Sequence, residues 1–213
     1  MTLDTDAILW SAPEGERAGR PLLVLLHGVG SHEGDLFGLA PYLPDDPVIA
    51  SLRAPLSYGP GFAWFPMPGE APDAERFAVA RESAASVLAW LAELASADVG
   101  GGGVGLLGFS QGAAMTFELL RARPELFDYA VPLSGFVFPD SHPGDAALAE
   151  RRPPVFWGRG DADELFPPER LAFSQEWIPK HTTLTERVYA GLGHGINQEE
   201  LGDIAKFLRG RLA

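Results

Sequence analysis

Short apolar runs separated by segments with helical periodicity constrain this chain more than any other feature. Pro21-Leu22-Leu23-Val24-Leu25-Leu26 is continuously apolar and bounded by polar residues, the pattern of a strand buried on both faces. Residues 48–52, 104–109, 129–133, 155–157 and 183–189 read as further strands. Between them, Asp73 can cap a long helix whose positions Phe77, Ala80, Ala84, Val87, Leu88, Leu91 and Leu94 follow the helical period. Residues 111–121 form a second helix. Residues 198–212 form a third, with Leu201, Ile204, Ala205, Leu208 and Leu212 on one face. Strands alternating with helices in this way imply an α/β protein with a largely parallel central sheet flanked by helices. No internal repeat or linker divides the chain, so residues 1–213 are expected to form a single domain. Residues 100–103, all glycine, are a flexible connection. The loops at 57–72 and 139–154 are rich in Pro and Gly and too poor in apolar helix to build a large cap domain. The site is therefore expected to be open.

Charge and cysteine content narrow the function. The formal net charge is −13, which repels nucleic acid and anionic membrane surfaces. Cysteine is absent, which removes disulfides, thiolate nucleophiles and Cys-based zinc sites. The first twenty residues carry Asp4, Asp6, Glu14 and Glu16 and lack a basic start followed by a long apolar run, so no signal peptide is read and a cytoplasmic location is expected. The apolar run at 22–26 is too short to span a bilayer, and no stable membrane insertion is expected.

Chemistry is concentrated at Gly108-Phe109-Ser110-Gln111-Gly112. This G-x-S-x-G lies between a predicted strand and a predicted helix, the context in which it acts as a nucleophile elbow of the α/β-hydrolase fold. The sharp turn holds the serine in a strained conformation above the sheet edge, and Gly108 and Gly112 remove side chains that would clash there. A serine nucleophile needs a base, and the base an orienting carboxylate, in the chain order Ser, Asp or Glu, His. Of the histidines after Ser110, His194 lies in the glycine-rich loop after a predicted strand and is the candidate base. His181 precedes a strand and reads as a solvated turn residue, and His142 comes before any acid loop. The acid lies in Gly160-Asp161-Ala162-Asp163-Glu164, where position alone leaves Asp161 and Asp163 both open. The loop Leu26-His27-Gly28-Val29-Gly30 can supply a second oxyanion donor, with the Val29 amide as candidate beside that of Gln111. His27 precedes the nucleophile and is not read as the base. His27 and His32 have no accompanying carboxylate–His cluster of metal spacing, so no metal site is read. Gly103, Gly105 and Gly108 match G-x-G-x-x-G but span the strand itself, which argues against dinucleotide binding.

Taken together, these segments resemble the phospholipase/carboxylesterase family, which includes acyl-protein thioesterases and small bacterial carboxylesterases. The resemblance rests on the oxyanion loop at Leu26 to Gly30, on Arg53-Ala54-Pro55 and Ala63-Trp64-Phe65, on the elbow, on Gly160-Asp161-Ala162-Asp163-Glu164-Leu165-Phe166-Pro167 and on Gly193-His194. It implies that Asp163, the second Asp of its loop, is the acid, and it supports Val29 and Gln111 as backbone oxyanion donors. Glu164 stands where the family usually has Pro, and Ala113 where Gly is common. The expected activity is hydrolysis of short-to-medium acyl esters or thioesters through an acyl-serine, with no cofactor and a small-molecule substrate. Trp64, Phe65, Phe136, Phe138, Leu165 and Phe166 are candidate acyl-pocket residues. An apolar patch near the mouth would serve a lipid substrate or a homodimer. The alternatives are a dienelactone-hydrolase-like lactone hydrolase, against which Ser rather than Cys at the elbow counts, and an inactive hydrolase-fold binding protein.

Overall fold

A computed structural model describes residues 1–212. In chain order the elements are β1 (Leu9–Trp10), β2 (Leu22–Leu26), α1 (Gly34–Phe37), β3 (Val48–Leu52), β4 (Leu56–Tyr58), β5 (Gly61–Ala63), α2 (Asp73–Ala95), β6 (Val104–Phe109), α3 (Gln111–Ala122), β7 (Tyr129–Leu133), α4 (Asp145–Arg151), β8 (Pro154–Gly160), α5 (Pro168–His181), β9 (Thr183–Tyr189) and α6 (Gln198–Arg209). Seven strands form one sheet in the order β1-β3-β2-β6-β7-β8-β9, with β1 antiparallel to its neighbour and every other pairing parallel. A separate hairpin pairs β4 with β5. This is the largely parallel sheet expected from the alternation of elements, in the α/β-hydrolase architecture that the elbow motif implied.

The apolar runs are strands because both sheet faces are covered. All five residues of β2 are fully buried. Leu22, Val24 and Leu26 pack on one side with α2, α3 and α5, while Leu23 and Leu25 pack on the other with α1 and α6. In the parallel part of the sheet the loops that matter leave the C-terminal ends of their strands, where open α/β sheets place ligands.

Four local expectations are revised. Asp73 does not cap α2: it is the first helical residue, the cap position is Pro72, and the Asp73 carboxylate accepts from Arg76 at 2.6 Å. The 57–72 loop contains the short β4–β5 hairpin, and the 139–154 loop contains α4. His181 is not a solvated turn residue: it ends α5, stacked on Trp177 at 3.8 Å between ring centroids. The terminal helix stops at Arg209, short of Leu212.

Helix α6 also buries a carboxyl group. Asn197 caps it by accepting from the Glu200 amide at 2.8 Å. The Glu200 side chain instead points into the protein, fully buried, with neither oxygen hydrogen-bonded among the described residues. It occupies space left by Gly158, where a Cβ would come within 2.1 Å of Glu200 Oε1. Burial, with the nearby charge of Asp203, pushes its pKa up from 4.5 to about 7. Between those values the folded protein holds a proton that the unfolded chain has lost. Stability therefore falls as pH rises through this window, by about 3 kcal/mol once Glu200 is ionised. Glu200→Gln is expected to remove that fall. In urea unfolding the variant should exceed the wild type by about this amount at pH 8 and match it near pH 4.5. An unchanged gap between the two proteins across that range would show that Glu200 does not titrate there.

Candidate active site

Ser110 stands between β6 and α3 with φ 56° and ψ −114°. Such a conformation costs about 1–3 kcal/mol and persists only where its surroundings enforce it. Here the enforcement is close packing. A Cβ on Gly108 would lie 2.2 Å from the Gly112 carbonyl oxygen, and one on Gly112 would lie 1.8 Å from that of Leu26. The Ser110 amide donates to Leu133 O at 2.9 Å, which ties the turn to the neighbouring strand β7. The Ser110 carbonyl accepts from Ala113 and Ala114 and so opens α3.

His194 reaches Ser110 from the loop after β9. Its Nε2 lies 2.9 Å from Ser110 Oγ and its Nδ1 2.7 Å from Asp163 Oδ2. The carboxylate accepts only, so Nδ1 carries the proton and Nε2 is left to accept from the serine hydroxyl. Asp163 is buried, and its Oδ1 accepts from the Leu165 and Phe166 amides at 2.9 and 3.2 Å. Each carboxylate oxygen thus has its own partners, and the side chain cannot rotate without losing them. Asp161 is exposed and accepts from the Gly191 amide at 2.6 Å, which tethers the histidine loop from outside. The two aspartates that position alone left open are therefore distinct: only Asp163 touches His194.

Val29 and Gln111 line the same cavity as Ser110. Neither amide N–H donates to a protein acceptor among the described residues, so both are free for an oxygen placed beside Ser110 Oγ. The Gln111 side chain has a role that the motif did not announce. Its Oε1 accepts from the Trp64 amide at 2.6 Å and its Nε2 donates to Phe65 O at 2.7 Å. A single residue thus presents an unpaired amide at the start of α3 and clamps the loop after β5. His27 braces the other side. Fully buried, it donates from Nδ1 to Gly28 O at 2.7 Å and accepts on Nε2 from the Ala54 amide at 3.1 Å. Burial lowers its pKa, which keeps the ring neutral in this framework.

A cavity of about 480 Å³ opens at Ser110. Ser110 itself is only 7 % exposed. Three loop segments contribute to its walls, together with α2 and α5. Phe65, Met67 and Pro68 form one; Phe136, Phe138 and Pro139 another; Leu165 and Phe166 a third. Trp64, expected among the lining residues, does not reach the cavity. Its ring is fully buried against His27, and its Nε1 donates to His27 O at 2.9 Å. The wall at 136–139 is held by Arg121, which is fully buried and donates to Glu118, to both carboxylate oxygens of Asp145 and to the Asp140 carbonyl.

Sequence reasoning missed Arg76, Phe77, Arg170 and Phe173 as lining residues. The last two lie on α5, whose start is marked by Pro167-Pro168 and whose buried face is Leu171, Ser174, Trp177 and Ile178. Pro179 in its last turn masked that signal. No cluster of three or more His, Asp or Glu among the described residues is arranged to hold a metal ion, and no helix among them is long and apolar enough to cross a membrane.

This fold and arrangement place the chain in a defined class, and comparison with known proteins agrees. Residues 12–212 match the family described as Phospholipase/Carboxylesterase, and the chain belongs to that family. It is 27 % identical to acyl-protein thioesterase 1 of Kluyveromyces lactis over 206 residues, covering 88 % of this chain and 90 % of the relative. Esterase YpfH of Escherichia coli is 28 % identical over 196 residues, covering 87 % and 81 %. Among solved structures, esterase PE8 superposes with a TM-score of 0.80 at 29 % identity, over 99 % of this chain and all of that one. A carboxylesterase from Mesorhizobium loti shares the fold with a TM-score of 0.79 at 23 % identity, over 98 % of each chain. At the level of the family the chain is an ester or thioester hydrolase.

Proposed function

We propose that the protein hydrolyses short-to-medium acyl esters or thioesters through an acyl-serine on Ser110. The observation that carries this reading is the continuous chain of contacts from Ser110 Oγ to His194 and from His194 to Asp163. His194 Nε2 takes the serine proton as Oγ attacks the carbonyl, and Asp163 stabilises the imidazolium that forms. The Val29 and Gln111 amides receive the oxyanion, each worth about a hundredfold or more in rate. Collapse of the tetrahedral intermediate expels the alcohol or thiol, protonated by His194. Water then attacks the acyl-serine, with His194 as base, and frees the acid and Ser110.

Phe65, Phe136 and Leu165, with Phe138 and Phe166, line the space in which the acyl chain is placed. A serine nucleophile with its base and acid in reach favours this over the inactive binding protein, and serine rather than cysteine disfavours a dienelactone-hydrolase-like enzyme. The test is hydrolysis of p-nitrophenyl esters from acetate to palmitate. The rate is expected to peak at a short or medium chain and fall toward palmitate. No turnover of any ester or thioester above the uncatalysed rate would remove the esterase reading.

A further inference from the structure

Besides His194, four charged side chains line the cavity: Asp35, Asp73, Arg76 and Arg170. Three of them are exposed and belong to the rim. Arg76 is different, because it is only 5 % exposed and still lines the space. Its Nε donates to Pro66 O at 3.0 Å and its Nη1 to Asp73 Oδ1 at 2.6 Å. Its Nη2 has no hydrogen-bond partner among the described residues and is not sealed into the protein.

The position of Arg76 follows from a ladder of aromatic rings. From His194, ring centroids step 5.4 Å to Phe166, 5.3 Å to Phe136, 5.5 Å to Phe138 and 4.4 Å to Phe77. Phe77 adjoins Arg76 at the start of α2. Arg76 and these rings thus line one cavity with Ser110, and the guanidinium is anchored to it through Pro66 O beside the Phe65 wall.

The guanidinium has two protein partners and one nitrogen with none among the described residues. The Asp73 side chain is 73 % exposed, and a pairing so open to water is weak. Arg76 shares the cavity lining with seven phenylalanines, and an anion reaching its unoccupied nitrogen there would meet less competition from solvent than at the open surface. A carboxylate matches the planar fork of a guanidinium, which can hold both oxygens. The chain's overall negative charge is screened beyond about 8 Å at physiological salt, whereas the exposed carboxylates of Asp35 and Asp73 share the lining, and Asp73 is the partner that a docking carboxylate would join or displace on the guanidinium.

Given the reading of Ser110 as nucleophile, we propose that the cavity takes an acyl group ending in a carboxylate that docks on Arg76. The substrate class is then the half-ester or half-thioester of a dicarboxylic acid. The bond balance is unchanged. Ser110 Oγ bonds the acyl carbon, the alcohol or thiol leaves with the proton from His194, and water releases the free dicarboxylate.

The experiment compares p-nitrophenyl hydrogen adipate, pimelate and suberate with p-nitrophenyl hexanoate, heptanoate and octanoate. Each pair differs only in the terminal group. A third arm, 4-carboxyphenyl hexanoate, carries the anion on the leaving half. At one chain length the dicarboxylate half-ester is expected to exceed its neutral partner in kcat/KM by about tenfold to a hundredfold, the scale of a hydrogen bond to a charged group. Arg76→Gln should lower that ratio by the same factor, and Arg76→Lys should restore part of it. A purely structural role would lower both rates together and leave the ratio unchanged. Should Arg76→Gln not fold, the wild type still answers: the free dicarboxylate is expected to inhibit octanoate hydrolysis more tightly than octanoate itself does.

Turnover of the neutral esters with no preference for any half-ester would overturn the proposal and leave the serine-esterase reading standing. So would a preference for the 4-carboxyphenyl ester alone, which would put the anion on the other half of the substrate. Failure to turn over any of these esters would count against the esterase reading itself, and this proposal would fall with it.

Discussion

Ser110→Ala is expected to lower kcat on the best p-nitrophenyl ester by about a millionfold, the scale seen when a nucleophilic serine is removed from a comparable triad. Deleting one oxygen removes the hydrogen-bond partner of His194 Nε2, 2.9 Å away, in the cavity that Val29 and Gln111 also line. The oxyanion donors remain, so a residual rate above that of water should persist. The fold should survive, because alanine fits the space. It inherits the same positive φ of 56°, however, so the replacement relieves no strain. Urea unfolding run beside the assay separates loss of chemistry from loss of structure. A folded alanine variant within tenfold of the wild type would mean that another group attacks the ester.

The second large effect separates two neighbours. Asp163→Asn is expected to cost about ten thousandfold in kcat, as when the same change is made in a comparable triad. The argument is geometric. Asp163 Oδ1 accepts from two backbone amides, so an asparagine would keep its oxygen there and turn its NH₂ toward His194. A donor facing Nδ1 forces the imidazole proton onto Nε2, and the ring can then no longer accept from Ser110. Asp161→Asn should change kcat/KM by no more than a few-fold. That exposed residue needs only one oxygen to receive the Gly191 amide, and asparagine supplies it. Equal damage from the two substitutions would show that the acid has been misplaced.

The contrast between these aspartates illustrates what could be read from residues and what could not. The sheet was legible because its parallel strands are buried on both faces and so become unbroken apolar runs, as in Leu22–Leu26. The elbow was legible because a close-packed strand-to-helix turn admits little but glycine around its serine. Asp161 and Asp163 share a loop and a residue type, and what divides them is burial and direction, which only the folded chain displays. The resemblance to known esterases pointed to Asp163, and the geometry places that residue against His194. The cavity was less legible. Trp64 was expected to line it because it lies on a predicted loop near the site, yet the loop turns its ring into the core. Arg76 escaped notice because a lone arginine in the first turn of a long amphipathic helix reads as surface, and its burial depends on a loop ten residues earlier in the chain. Helix α5 was hidden by its prolines, and Arg170 and Phe173 were hidden with it.

Gln111 grips the loop after β5 through main-chain atoms alone: the Trp64 amide and the Phe65 carbonyl. The grip is therefore indifferent to which side chain occupies position 65, although that side chain faces the cavity. A lineage, or a library, can vary residue 65 to reshape what the cavity admits while the amide of Gln111 stays where the proposed oxyanion role needs it. On the proposed mechanism, catalytic geometry and substrate range are inherited through different atoms of the same few residues, so one is free to drift while the other is held.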